Sequence, residues 1–155
     1  MASPQGSNRF FSDFFVDTRI HNPTTATTAQ VLTDATSLFY LDGSLYSHFA
    51  FAVAYVSGSG GIIQVELVAA DDVAFATNVT VIKDSGAIDL DAADDRYLTE
   101  CSAEEIAQES ADAGATLRYV SVRLDCGHAD DIALVTMIAK PRFPRDGITT
   151  LTRQA

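Results

Sequence analysis

Residues 46–56 read YSHFAFAVAYV, and the alternation inside them decides the fold. Phe49, Phe51, Val53 and Tyr55 fall on one side of an extended chain, and Ala50, Ala52 and Ala54 fall on the other. A period of two belongs to a strand, because successive side chains of extended backbone point to opposite faces. This strand has a bulky face and a small-residue face. The residues that follow, SGSGG (57–61), supply the backbone freedom for a reversal. IIQVELVAA (62–70) then resumes the alternation, with Ile63, Val65 and Leu67 against Gln64 and Glu66. The pattern predicts a hairpin.

The same pattern returns further along. TLRYVSVRLDC (116–126) sets Val120, Val122 and Leu124 against Tyr119, Ser121 and Arg123, and DIALVTMIAK (131–140) follows the turn GHAD, which predicts a second hairpin. Shorter strands are expected at TTAQVLT (27–33), TSLFYL (36–41), NVTVIKD (78–84) and GAIDL (86–90), each closed by Gly, Asp or Asn. Such strands need a second layer over their apolar side, so the expected fold is all-β, a β-sandwich or jelly roll. One segment departs from the pattern. CSAEEIAQESADAG (101–114) places Ser102 three residues before Glu105, a capping box, and ends at Gly114, which predicts one short helix set as a lid over an open end of the sandwich.

Both ends read as arms. The expected division is an N-terminal arm over 1–24, the sandwich over 25–140 and a C-terminal arm over 141–155, since the prolines of KPRFPRDG (140–147) stop a central strand. NRFFSDFFVDTR (8–19) holds Phe10, Phe11, Phe14 and Phe15, four of the nine phenylalanines in the chain. One helical turn would gather all four on one side, opposite Ser12, Asp13 and Asp17. Burying each ring is worth roughly 2–3 kcal/mol, so this segment is expected to dock, either on its own sandwich or on a neighbouring copy or larger partner. Arg142, Arg145 and Arg153 against Asp146 make the C-terminal arm basic, and these arginines together with the four phenylalanines are the expected partner-binding residues.

Composition narrows the function classes. The 155 residues fit one domain, and 10 Lys and Arg against 21 Asp and Glu give a net charge of −11, which argues against nucleic acid and anionic lipid as partners. There is no apolar run of membrane-spanning length, and MASPQGSNRF (1–10) has neither the basic nor the apolar region of a signal peptide, so the chain is expected to stay where it is made. Without a secretory signal, the sequon at Asn78 carries no meaning. Cys101 and Cys126 are expected as free thiols.

Chemistry-bearing clusters are few. DCGHADD (125–131) brings together Cys126, His128, Asp130 and Asp131, all metal-ligating types, but their spacing matches no closed zinc site. The competing reading is a polar turn using Gly127 for geometry and Asp130 for hydrogen bonds, and it is preferred. Thirteen carboxylates against three arginines lie between Asp84 and Asp131, and DLDAADD (89–95) lacks the glycine and distal glutamate of an EF-hand loop. A solvated acidic face is the preferred reading. No Ser-His-Asp, Cys-His or Gly-rich phosphate motif is present, and no catalytic, cofactor or metal residue is expected.

The alternating strands, the motif-free chemistry and LRYVSVRLDCGHADDIALVTMIAKPRF (117–143) with its proline-arginine exit, joined more loosely by 46–69, resemble the capsid decoration or cement proteins of tailed bacteriophages. The resemblance implies a non-enzymatic β-sandwich that binds the outside of an icosahedral shell, clamps the major capsid protein and forms a homo-oligomer, with a trimer favoured, on the virion surface. Alternatives are a phage tail or receptor-binding component, a carbohydrate-binding β-sandwich module, and an enzyme using the acidic run around Asp94 and Asp95.

Overall fold

The computed structural model describes residues 15–22, 30–32 and 38–142. The alternation of the opening stretch is realised as β4 (Tyr46–Ser57), with Phe49, Phe51 and Val53 fully buried and the intervening alanines on the opposite face. Around it, β1 (Phe15–His21), β9 (Ile132–Pro141) and β7 (Arg96–Ser102) complete the first sheet, sheet A, in the order β1-β9-β4-β7. The second sheet, sheet B, runs β2-β8-β5-β6, from β2 (Gln30–Val31), β8 (Tyr119–Cys126), β5 (Ile62–Ala70) and β6 (Thr80–Asp84). A further short strand, β3 (Leu41–Asp42), pairs with β8 at Val120 and Tyr119, while β2 pairs with the same strand at Leu124 and Arg123. β2 and β3 therefore act as one interrupted edge. Counted so, the described residues form eight antiparallel strands in jelly-roll order, each connection crossing between sheets except that from β5 to β6.

This topology corrects both predicted hairpins. β4 pairs with β7 and β9, whereas β5 pairs with β6 and β8, so the chain crosses from one sheet to the other at residues 57–61. It crosses back between β8 and β9. The glycine-rich turns allow a reversal of direction but do not specify a hydrogen-bonding partner, and here the apolar faces of consecutive strands meet across the core instead of lying side by side. GAIDL forms no strand, only an isolated bridge between Leu90 and Ile62.

Two strands have no counterpart in the sequence reading. In β7, Thr99 and Cys101 face the core while Leu98 is 61% exposed, so its most apolar residue lies on the outer side. In β1 the register against β9 places Asp17, Arg19 and His21 opposite the buried Met137, Val135 and Ala133, and Val16, Thr18 and Ile20 opposite the outward Ile138, Thr136 and Leu134. Its polarity is inverted. Phe15 begins this strand, so the helical grouping expected for the four phenylalanines does not extend to it. β1 falls within residues 1–24 and Pro141 within 141–155, so sheet A takes in part of both expected arms.

The core lies between the sheets, with Leu67, Val122 and Leu124 of sheet B against Phe49, Phe51 and Met137 of sheet A. The predicted helix is α1 (Ala103–Ala113), started by the capping box of Ser102 and Glu105 and stopped at Gly114 in the left-handed region, φ 64°. It buries Ile106 and contacts β4, β6 and β7, and Lys83 of β6 pairs with Glu105. The helix thus spans from the β7 edge of one sheet to the β6 edge of the other.

Candidate functional site

The outer faces of the two sheets differ. Outside sheet B, Val68 and Ala70 are buried beneath Phe75, with Tyr40, Leu38, Val81 and Tyr119 packed around them in a second small core. Phe75 is carried by the loop 71–79, which folds around two carboxylates. Asp72 accepts hydrogen bonds from the backbone N–H groups of Ala74, Ala76 and Thr77, and these hold its carboxyl below the usual range. Asp71 accepts from Thr77 Oγ1 and the Asn78 amide. The rest of this face is largely polar, with Arg123 Nε donating to Glu66 at 2.7 Å and Gln64 to Asp84 at 2.9 Å.

Outside sheet A, cross-strand pairing sets out three rows of four outward residues. They are Val16, Ile138, Ala50 and Glu100; Thr18, Thr136, Ala52 and Leu98; and Ile20, Leu134, Ala54 and Arg96. Eight of the twelve are apolar, two are threonines joined by a 3.1 Å hydrogen bond, and two are charged. On a chain of net charge −11 this is a nearly neutral, apolar and flat surface. Val16 and Ile20 are exposed at 38% and 56%, and among the described residues nothing lies over them. Apolar patches of a few hundred Å² on a folded protein are often functional.

Phe15 pairs with Ala139, and Tyr46 pairs with Pro141, so the start of β1 and the end of β9 lie near each other. Phe10, Phe11, Phe14, Arg145 and Arg153 lie outside the described residues. Arg142 is described, and its guanidinium is turned inward: Nε donates to the Tyr46 carbonyl at 3.0 Å and Nη2 to the Gly43 carbonyl at 3.2 Å. It fastens the end of β9 to the turn before β4.

Arg142 also borders a shallow cavity of about 500 Å³ floored by Ala103, Ile106, Ala107 and Leu117. Across it, Arg118 holds Asp42 through two bonds of 3.0 and 2.7 Å, which lowers the Asp42 pKa to about 2. Both arginines of the cavity are engaged by the protein itself. Ser44 at its margin donates its hydroxyl to Asp42 at 2.7 Å, and a carboxyl held that low is a poor base.

The DCGHADD segment is a loop clamp. Asp131 is fully buried and accepts from the N–H groups of Gly60, Gly61 and His128 at 2.9, 3.0 and 2.6 Å, while Asp130 accepts from Ser59 N and Oγ at 3.0 and 2.7 Å. The two sheet crossings therefore lock into each other. Gly127 serves by its lack of a side chain: a Cβ there would lie 2.4 Å from the Gly60 carbonyl oxygen, and one on Gly60 would lie 2.4 Å from Gly127 C. Cys126 points into the core, away from His128 and Asp130, and burial pushes its thiol up to about 12. Among the described residues no three His, Cys, Asp or Glu side chains converge as a metal set. In the DLDAADD run, Asp95 accepts from the N–H groups of Asp91 and Ala92 and closes a turn.

No protein-family model matches this sequence, and no curated protein matches it. The sheet A face escaped sequence reading because its residues come from four strands, three of them with ordinary alanine or threonine on that side. The one legible signal was the alanine side of β4.

Proposed function

We propose that this chain is a non-enzymatic structural protein of a bacteriophage particle, decorating and stabilising the capsid by binding the major capsid protein and neighbouring copies. The observation that carries the reading is the apolar outer face of sheet A, over which none of the described residues lies. A broad apolar face suits repeated contact with an ordered surface, where many weak contacts add through avidity. Jelly rolls also serve viral shells, lectins and cupins, so the fold alone does not choose among functions. A carbohydrate platform has less support, since every aromatic side chain whose burial is described is buried or half-buried.

The test is the copy number of this chain in purified particles from its source, measured by mass spectrometry against the major shell protein. Hundreds of copies are expected. A handful would move the protein to the tail or a receptor-binding position, and absence from particles would remove the virion reading. A deletion of residues 1–14, which leaves β1 intact, is expected to weaken particle binding while the sandwich stays folded.

A further inference from the structure

The geometry points to a second copy of this chain as the partner of the sheet A face, docked face to face about a two-fold axis that runs along its middle row. This deepens the assembly reading, on which it rests in taking the face as an interaction surface. The middle row is Thr18, Thr136, Ala52 and Leu98. A two-fold along it keeps each strand over its own counterpart and exchanges the outer rows. Leu98 then meets Leu98 and Ala52 meets Ala52. Val16 meets Ile20, Ile138 meets Leu134, and Ala50 meets Ala54, each an apolar residue against one of similar kind.

Charge selects this arrangement. The face carries two charged residues, Arg96 and Glu100, on the same strand and placed symmetrically about Leu98. Under the proposed two-fold, Arg96 of each copy faces Glu100 of the other, which gives two opposite-charge contacts at one margin of an otherwise neutral interface. A two-fold in the same plane but along the strands would place β7 over β1 and leave both charges against apolar residues. A self-complementary pattern is what an isologous interface requires, because one surface has to fit itself. Lys140 and His48 lie one step beyond the grid, at the hydrated rim where charge is tolerated. The small residues of β4 and the paired threonines keep the centre flat, so two sheets can approach at the spacing of about 10 Å usual for stacked sheets.

The size of the face sets the expected strength. Four strands at about 4.8 Å and three outward positions at about 6.8 Å span roughly 400 Å², about half of the ~800 Å² per partner of a standard interface. Pairing is therefore expected as a concentration-dependent equilibrium.

The experiment is sedimentation equilibrium on the isolated full-length chain from micromolar to millimolar concentration. Wild type is expected to pass from monomer to dimer. Arg96→Glu and Glu100→Arg each place like charges opposite one another and are expected to raise the dimer dissociation constant about tenfold or more. The double variant R96E/E100R, and an equimolar mixture of the two single variants, are expected to restore pairing, because each again sets opposite charges face to face. Ala52→Lys, at the centre, is expected to hold the chain monomeric. A monomer throughout, a trimer, single variants that pair like wild type, or no recovery in the mixture would each overturn the proposal. A chain that stays monomeric yet binds particles would defeat the pairing alone, whereas one that pairs but is missing from particles would defeat the virion reading alone.

Discussion

Outside sheet B, Phe75 lies over Val68 and Ala70; outside sheet A, nothing in the described chain lies over Ala52 and Leu98. Both faces carry apolar residues that burial would stabilise, and among the described residues only one is covered. The difference lies in the connections. The chain between β5 and β6 is long enough to fold back and is held by Asp71 and Asp72, whereas β4 ends and β9 begins at short crossings locked against each other. Apolar surface that the described residues do not cover is available for association.

This contrast requires that strands stay in their sheets, and the lock between the two crossings helps to hold them there. Asp131→Ala removes the acceptor of three backbone N–H groups in a buried site, and a loss of about 4 kcal/mol is expected from one to three kcal/mol per unsatisfied donor. Urea unfolding measures it. A change under 1 kcal/mol would mean that the crossings are held by something other than this carboxylate.

The two faces can then be compared directly. Phe75→Ala opens the small core outside sheet B and is expected to cost about 3 kcal/mol, as for other buried aromatic truncations. Leu98→Ala on sheet A is expected to change the stability of the monomer by less than about 0.5 kcal/mol, the range of exposed positions. Equal losses at the two sites would break the comparison.

β1 sharpens it further, because its inverted polarity turns Val16 and Ile20 outward by turning Asp17, Arg19 and His21 inward. Arg19 accommodates this by donating to Asp17 at 2.9 Å and stacking on the Phe39 ring at 3.6 Å. His21 is fully buried, and desolvation lowers its pKa from 6.5 to about 4. The folded chain thus keeps His21 neutral while the unfolded chain takes up a proton. Stability is complete above pH 6.5 and falls as pH drops toward 4, by up to about 3 kcal/mol at 1.36 kcal/mol per unit. Asp42, held at about 2 by Arg118, adds its own loss only below its ordinary 3.8. His21→Gln should flatten the stability curve between pH 6.5 and 4, measured by denaturant titration across that range. An unchanged slope would place the titration elsewhere.

The smallest expected effect concerns the thiols. Cys101 and Cys126 face the core from opposite sheets and are both free, as expected, with burial pushing each up to about 12. Neither should react with iodoacetamide in the folded protein, and both should react in urea. Labelling of Cys101 alone under native conditions would show that the β7 edge opens.

Much of this was legible in the sequence, and the losses have physical causes. Phe49 through Tyr55 and Val120 through Leu124 announced their strands because strong inward residues alternate with weak outward ones. Ser102, Glu105 and Gly114 announced α1 because capping is local chemistry. β7 was hidden because Leu98 faces out, and β1 because its apolar residues face out and follow a run of phenylalanines with helical spacing. The DCGHADD cluster was read as a single turn, since nothing in its spacing says that Asp131 reaches across to Gly60 and Gly61. Nothing in the spacing of Arg142 shows that its guanidinium bonds to the carbonyl oxygens of Gly43 and Tyr46.

The sequence alone determined that most of this chain would be strands and which side of the strongest ones would face the core. Period and side-chain size act within a few residues and need no distant partner. Only the tertiary structure decided that β4 would lie between β9 and β7 while β5 joined β8 and β6. Hydrogen-bonding capacity is the same along every strand edge, and the choice among edges rests on how whole faces pack. The grid outside sheet A exists only as a result of that choice, since its three rows are assembled from residues up to 122 positions apart in the chain.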